Sequence, residues 1–357
     1  MEKLTNFYRN KKIFVTGATG FKGSWLCSWL IKLGAKVYGA GYNPNNNNNL
    51  FYGLNLEKKI NLKLFDIRDF KKVNTFIKEK KPEIIFHLAA QPLVYDSFIR
   101  PMYTFDVNFK GTLNVLEASK NCKNVKSIIC VTTDKVYEGS ENNKKFKETD
   151  RLGGQDPYSL SKASAELIIK SYREIFKKIK KNCYISSVRA GNVIGGGDWS
   201  ENRLVPDCIK SIRSDKTVII RNPKFIRPWQ FVLEPLKGYL ILAKRQIKNP
   251  KRFAGDWNFG PDSNAKITVI QVVKLIINSW GKGKFKIKKK IKFKEQKSLR
   301  LDIGKAKKIL KWKSTYNTKN GIKKTIQWYY DVIKNKKNPS KVTNDQISEY
   351  MRRANLK

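Results

Sequence analysis

The sequence is that of an α/β protein: a doubly wound parallel sheet followed by a smaller mixed α/β domain. Three observations point there. Short β-branched and aromatic runs alternate with stretches of helical periodicity as far as residue 190, the pattern of parallel strands joined by right-handed crossovers. A glycine-rich turn, Gly17-Ala-Thr-Gly-Phe-Lys-Gly23, directly follows the first such run. Beyond residue 195 the alternation fades into scattered short strands and helices. The expected division is a Rossmann-type dinucleotide domain over 1–195, a substrate domain over 196–340 with some segments crossing back, and a loosely attached charged tail over 341–357.

Ile13-Phe-Val-Thr is the first strand, and Trp25, Leu26, Trp29, Leu30 and Leu33 recur at helical spacing until Gly34 stops them. Glycines between a strand and a helix let the backbone approach a pyrophosphate, whose charge meets the helix amino end. Gly17, Thr19, Gly20, Phe21, Lys22 and Gly23 are the candidate contacts. Residues 36–42 read as the second strand. The acidic residue that bonds the NAD ribose about twenty positions past the glycines is replaced by Tyr42, Asn43 and Pro44. No arginine stands there for a 2′-phosphate either, so these residues do not decide between NAD and NADP. The asparagine tract 45–49 reads as a loop.

Asn61-Leu-Lys-Leu-Phe is the third strand. It ends in Asp66-Ile-Arg-Asp69, where Asp66 and Ile67 can meet an adenine and Asp69 can cap a helix over 70–80. Residues 83–90 form the fourth strand, closing on Leu88, Ala89 and Ala90, small enough for a cofactor ribose to pack closely. His87 within it reads as a core imidazole. A helix starts at Pro101 and runs to about Cys122. Ser127-Ile-Ile-Cys-Val-Thr is a buried fifth strand, which puts Thr133, Asp134 and Lys135 at its carboxyl end, where ligands of open α/β sheets bind.

Asp156 is a plausible N-cap and Pro157 suits a first helical position, so Tyr158 and Lys162 fall at i and i+4 on one helix face. A phenol titrates near about 10 and needs a neighbouring cation to serve as a base. Lys162 is placed to supply one. Residues 184–188 are the sixth strand, followed by Arg189-Ala-Gly-Asn192 and Gly195-Gly-Gly-Asp-Trp199. Helices are expected over 233–245, 269–280, 302–310 and 321–332, and an edge strand with a solvated lysine face over 282–294. There is no internal repeat.

The chain has 357 residues, with 74 Lys plus Arg against 29 Asp plus Glu, a formal charge of +45. The lysines are spread over ordinary helix faces and not gathered in one stripe, so compositional drift accounts for them better than a nucleic-acid site. Five scattered cysteines with no metal-ligand spacing fit buried thiols in a reducing cytoplasm. The single histidine excludes a histidine triad or a histidine-rich zinc site, and no metal is expected. The amino end lacks the apolar segment of a signal peptide, and no apolar run reaches the ~18 residues of a membrane span.

GxxGxxG after the first strand, HLAA at the fourth, TTDK at the fifth and YSLSK on the next helix resemble the extended short-chain dehydrogenase/reductase family, whose members act on nucleotide sugars with a permanently held NAD or NADP. GATGFKGSWL, HLAAQPLV, GGQDPYSLSK, RAGNVIGGGDW, RLVPD, IRNPKFIRPWQ, VLEPLKGYL and WNFGP, covering residues 12–261, are similar to its 4,6-dehydratase branch acting on CDP-glucose. The resemblance implies that Tyr158 takes the C4 hydroxyl proton, that Lys162 holds the nicotinamide ribose and lowers the phenol pKa, that Lys135 is the C5 base, and that Asp134 protonates the departing C6 oxygen. It implies Thr133 on the C4 oxygen, Gln91 and Asn192 as substrate contacts, Arg227 and then Arg203 and Arg221 on the diphosphate, and a homodimer. Tyr95, where the family has arginine, and Phe231, where it has histidine, depart from the pattern and put local substrate contacts in doubt. Two rivals are a nucleotide-sugar 4-epimerase, which needs no Asp134–Lys135 pair, and a basic nucleic-acid-binding protein with an inactive cofactor fold.

Overall fold

The computed structural model describes residues 3–42, 49–139, 144–261, 267–288 and 299–356. One parallel sheet contains β1 (Lys12–Thr16), β2 (Lys36–Gly41), β3 (Asn61–Leu64), β4 (Ile84–His87), β5 (Ser127–Val131), β6 (Tyr184–Ala190) and β7 (Gly255–Phe259). Their order is β7-β6-β5-β4-β1-β2-β3. The order reverses between β1 and β4, whose tips lie side by side with Thr16 paired to His87. A crevice opens at such a reversal, outside the strands' carboxyl ends.

Side chains alternate across the sheet as the strand period requires. Phe14, Ile85, Ile128 and Ile185 face one core with Val73, Phe76 and Val115. Ile13, Val15, Ile84, Phe86 and Ile129 face the other, under Trp25 and Trp29. The helices that position the site are α1 (Phe21–Lys32), α2 (Phe70–Lys80), α3 (Pro157–Lys178), α4 (Leu233–Lys248) and α5 (Pro339–Arg353). Asp69 caps α2 by accepting from the Lys72 amide at 3.1 Å.

From beyond residue 195, β7 crosses back to pair with β6, and the second apolar core continues unbroken through Tyr239, Trp257, Phe259, Trp312 and Trp328. The polar residues Asp256 and Asn258 hide this strand from a hydrophobicity reading. The structure departs from the sequence expectations in three places. The expected tail is not loose, because residues 339–353 form α5. Its Val342, Ile347, Tyr350 and Met351 are buried at helical spacing, and Tyr350 meets Trp29 of α1 edge-on with ring centroids 5.7 Å apart. The helix from Pro101 is three pieces, Pro101–Phe105, a π turn Asp106–Lys110 and Gly111–Lys120. The helix expected over 302–310 shrinks to Gly304–Lys308, since the Asp302 carboxylate accepts from the Gly304 amide at 2.6 Å. Of the edge strand over 282–294, Phe285–Ile287 pairs with Val218–Ile220, while 289–294 and residues 45–48 of the asparagine tract lie outside the described residues. Among the described residues no helix is long and apolar enough to cross a membrane.

Candidate active site

The glycine turn closes on the tips of β1 and β4. Gly17 has φ +70°, and a Cβ there would lie 2.8 Å from the Ala89 nitrogen; at Gly23 it would lie 2.0 Å from the Gly17 carbonyl oxygen. Thr16 Oγ1 accepts from the amides of Leu88 and Ala89, each at 3.1 Å, and so sets the path into Ala90. Gly20 is the N-cap of α1 and offers no side-chain acceptor to its first-turn amides. A turn with glycine at 17, 20 and 23 that leads into a helix start without a side-chain cap fits the pyrophosphate of a dinucleotide. Thr19 Oγ1 donates to the Tyr42 carbonyl at 3.0 Å, and Phe21 begins α1 beside it.

At the end of β3 the Asp66 carboxylate accepts from the Tyr42 hydroxyl at 2.9 Å and from Arg68 Nε and Nη2 at 2.9 and 2.6 Å. The expected adenine contact therefore shares its carboxylate with Arg68. Asn114 donates to the carbonyls of Ile67 and Arg68 at 3.0 and 2.9 Å, which fixes this turn. His87 is the core imidazole expected: it lies 2.7 Å from Thr16 Oγ1 and 3.1 Å from Thr112 Oγ1. Burial, followed by the Lys162 charge, pulls its pKa down to about 3.

Asp156 caps α3, accepting from the Ser159 amide at 2.8 Å, with Pro157 next in line. Tyr158 and Lys162, one turn apart, are both buried. Burial pushes the Tyr158 phenol up to about 12 against a hydrogen bond with Thr133 and the charge of Arg203. Burial likewise pulls Lys162 down to about 8, opposed by Cys130 and Glu166. Lys162 Nζ donates to the Val131 carbonyl at 3.1 Å. Thr133 and Arg203 are the groups that lower the phenol most here, and the Lys162 ammonium points to the carboxyl end of β5.

Asp134 and Lys135 lie in a short 3₁₀ turn just past β5. Thr133 Oγ1 donates to Asp134 Oδ1 at 3.1 Å. Asp134 is 2% exposed, and its Oδ2 has no hydrogen-bond partner among the described residues. Burial holds this carboxyl above its usual range, against the Lys135 charge, the Thr133 hydrogen bond and the Arg227 charge. Lys135 is half-buried beside it. Lys22, expected on the cofactor alone, also faces this acid: burial, then the charges of Arg203 and Lys162, pull it to about 7, while Asp134 and Asp198 oppose.

Of the remaining substrate candidates, the structure brings in Asn192, Arg203 and Arg227. Asn192 takes φ 38° after β6, and its carbonyl accepts from the Gln230 amide at 3.2 Å. Arg203 pairs with Asp198 at 3.6 Å. Arg227 rests on the Phe225 ring, 4.9 Å from its centroid. Two candidates are not brought in. Arg221 is exposed; it donates to Asn202 at 3.4 Å and its charge acts on Asp207. Gln91 spends its side chain on the local turn, accepting from the Leu93 amide at 2.5 Å and donating to Thr104 at 2.9 Å. Phe231, one of the two departures, belongs to an aromatic core with Trp25 and Tyr316 at 5.9 and 5.8 Å; Tyr95, the other, is exposed.

Three groups escaped the sequence reading. Asn108, thrown inward by the π turn, accepts from the Gln91 amide at 2.9 Å and donates to Ser161 Oγ at 2.9 Å, tying the tip of β4 to α3. No local signal marks it. Asp198, in the quoted GGGDW block, is buried beside Arg203. Glu166 and Arg189, each 1% exposed, form a bidentate pair at 2.9 Å. Arg189 also donates to the Tyr137 hydroxyl at 2.8 Å, which donates to Asn258 of β7 at 2.7 Å. This buried chain links α3, β6, β7 and the segment that follows β5.

The sequence profile of the GDP-mannose 4,6 dehydratase family matches residues 14–325. The chain belongs to this family. Among curated relatives of the GDP-mannose 4,6 dehydratase family, the CDP-glucose 4,6-dehydratase of Salmonella typhimurium is 41% identical over 330 residues, covering 91% of this chain and 92% of its own. The solved dTDP-glucose 4,6-dehydratase of Bacillus anthracis, in complex with NAD, shares the fold with a TM-score of 0.76 at 23% identity over 91% of this chain and 98% of that one. The UDP-glucose 4-epimerase of Thermotoga maritima, solved with UDP-glucose, gives 0.75 at 25% identity over 90% and 99%. Within that fold, this chain sets a buried phenol and ammonium beside a buried carboxyl and a second amine, an arrangement able to move two separate protons around one bound sugar.

Proposed function

We propose that this protein is a CDP-glucose 4,6-dehydratase, a hydro-lyase that forms CDP-4-keto-6-deoxyglucose with a held NAD. The observation that carries the reading is the second acid–base pair. Tyr158 and Lys162 suffice for oxidation at C4, whereas a buried acid beside a lysine at the tip of β5 is what loss of water additionally requires. The identity to the Salmonella protein supports the cytidine base.

With its pyrophosphate in the glycine turn, NAD would supply the acceptor for the C4 hydride and its donor to C6. The protein's own residues handle the protons. Tyr158 accepts the C4 hydroxyl proton, with Thr133 bonded to the same oxygen. The resulting C4 ketone acidifies the C5 proton, which Lys135 removes and gives back to C5 once the C6 oxygen has left. Asp134, whose carboxyl burial holds above its usual range, gives its proton to the C6 oxygen, and that oxygen leaves as water. Arg227 and Arg203 suit the substrate diphosphate by their planar guanidinium groups, with Asn192 beside them. On this reading residues 1–195 hold the cofactor and residues 196–340 hold most of the nucleotide sugar. Five free, buried cysteines suit a reducing cytoplasm. The exposed apolar Phe98, Ile99, Met102, Leu160 and Leu167 lie on neighbouring helices, a patch suited to pairing with a second copy, for which light scattering should return twice the chain mass.

Incubation with CDP-glucose, followed by NMR, should reveal a new C6 methyl beside a C4 ketone. No methyl with CDP-, dTDP- or GDP-sugars would end the proposal. Asp134→Asn combined with Lys135→Met should stall after C4 oxidation; an epimerase would keep most of its activity. Heparin binding that vanishes at modest salt would leave the charge without a nucleic-acid role.

A further inference from the structure

Gly191, just past the end of β6, lies under the Asp134 carboxyl. A Cβ built on Gly191 would fall 1.8 Å from Asp134 Oδ2, 2.4 Å from Cγ and 3.0 Å from Oδ1. The carboxyl thus occupies the volume that a side chain at 191 would need. Of its two oxygens, Oδ1 takes the Thr133 hydrogen bond, and Oδ2, the one nearest Gly191, is buried without a partner among the described residues.

The backbone at 191 cannot easily retreat. Gln230, itself buried, donates from Nε2 to the carbonyls of both Gly191 and Phe259 at 3.0 Å. Its own amide donates to the Asn192 carbonyl. Immediately before Gly191, Ala190 is paired with Phe259 at the end of β7. A residue larger than glycine would therefore meet a fixed backbone on one side and a movable carboxyl on the other, and the carboxyl would be the group to yield.

We propose that Gly191 is a positioning residue for the acid of the dehydration step: its missing side chain is the seat of the Asp134 carboxyl, and Gln230 holds that seat in place. The inference rests on the dehydratase reading for its role in turnover, but not for the seat itself. Turned out of the seat, the carboxyl would be rehydrated and brought nearer the charged groups that already reach it, Lys135, Arg227 and Lys22, with Tyr158 as its other titratable neighbour. Each of those changes favours the ionised form, which cannot deliver a proton.

The test is Gly191→Ala in the full chain, with Gln230→Met as a second variant that frees the seat without adding a Cβ at 191. Carbon-13 NMR of the Asp134 carboxyl, identified by its loss in Asp134→Asn, should show its titration falling by about one pH unit or more in Gly191→Ala and by less in Gln230→Met. With CDP-glucose, Gly191→Ala should keep C4 oxidation, seen as reduced-nicotinamide absorbance, while release of the methyl product slows about 100-fold or more. The alkaline limb of its pH profile should move to lower pH. An unchanged carboxyl titration in Gly191→Ala overturns the inference, as does methyl formation within twofold of the parent with an unmoved pH profile. Should Gly191→Ala not fold, an unmoved titration in Gln230→Met overturns it. If the parent enzyme makes no methyl product but the titration moves as stated, the seat stands and only the dehydratase reading falls.

Discussion

On the cofactor side of the crevice, the candidate residues sit at or just beyond the ends of β1, β3, β4 and β5, and on the first turns of α1 and α3. On the substrate side, Asn192, Arg203 and Arg227 hang from short strands and turns held by hydrogen bonds to remote parts of the chain, such as Gln230 to Phe259. The first kind of site is made by local rules of strand, glycine turn and helix; the second exists only once distant segments have docked. Substitutions on the two sides should therefore fail differently, the first in chemistry and the second in assembly.

The largest effect is expected from Tyr158→Phe, which removes a proton acceptor and disturbs no packing. Turnover should fall by about 10³-fold, with the melting temperature within a few degrees of the parent; a collapse of stability would blur the contrast. Next comes Arg189→Met. It strands Glu166 as an unpaired buried charge and should cost about 3–5 kcal/mol in urea unfolding, most of it recovered by adding Glu166→Leu. A silent Arg189→Met would show that the junction of α3, β6 and β7 is held by apolar packing alone.

A smaller effect links the two sides. The Asp134 carboxyl is raised mainly by burial, so the folded protein holds a proton that the unfolded chain releases at ordinary carboxylate pH. Stability contributed by that proton is full below the ordinary range and is lost as pH rises through the raised value. Asp134→Asn should thus melt higher than the parent at neutral pH, with the gap closing as pH falls through the raised value toward about 4, while activity is lost. An equal gap at both pH values would mean the carboxyl is not held neutral. The smallest effect belongs to Asn338→Ala at the N-cap of α5, where the side chain accepts from the amides of Ser340 and Lys341. It should cost about 1 kcal/mol and leave turnover unchanged.

Much of the cofactor side is legible in the chain because its signals are short-range. The Gly17–Gly23 turn, the Asp156 cap and the Tyr158–Lys162 spacing each fit within a few residues, and the structure builds the expected strand, turn and helices from them. β7 was not legible, since Asp256 and Asn258 take polar partners and break its apolar run. Nor was α5, whose charges mask a stripe that becomes visible only against Trp29.

Residue order alone thus determined a doubly wound sheet, its nucleotide turn and which phenol and amine share a helix face, because periodicity and capping act over one or two turns. Tertiary structure alone decided that Asp134 is buried on Gly191, that Lys162 turns to Val131 and that Arg189 meets Glu166. Desolvation and the pairing of charges depend on what the rest of the chain brings within a few ångströms, and no spacing along the sequence encodes that distance.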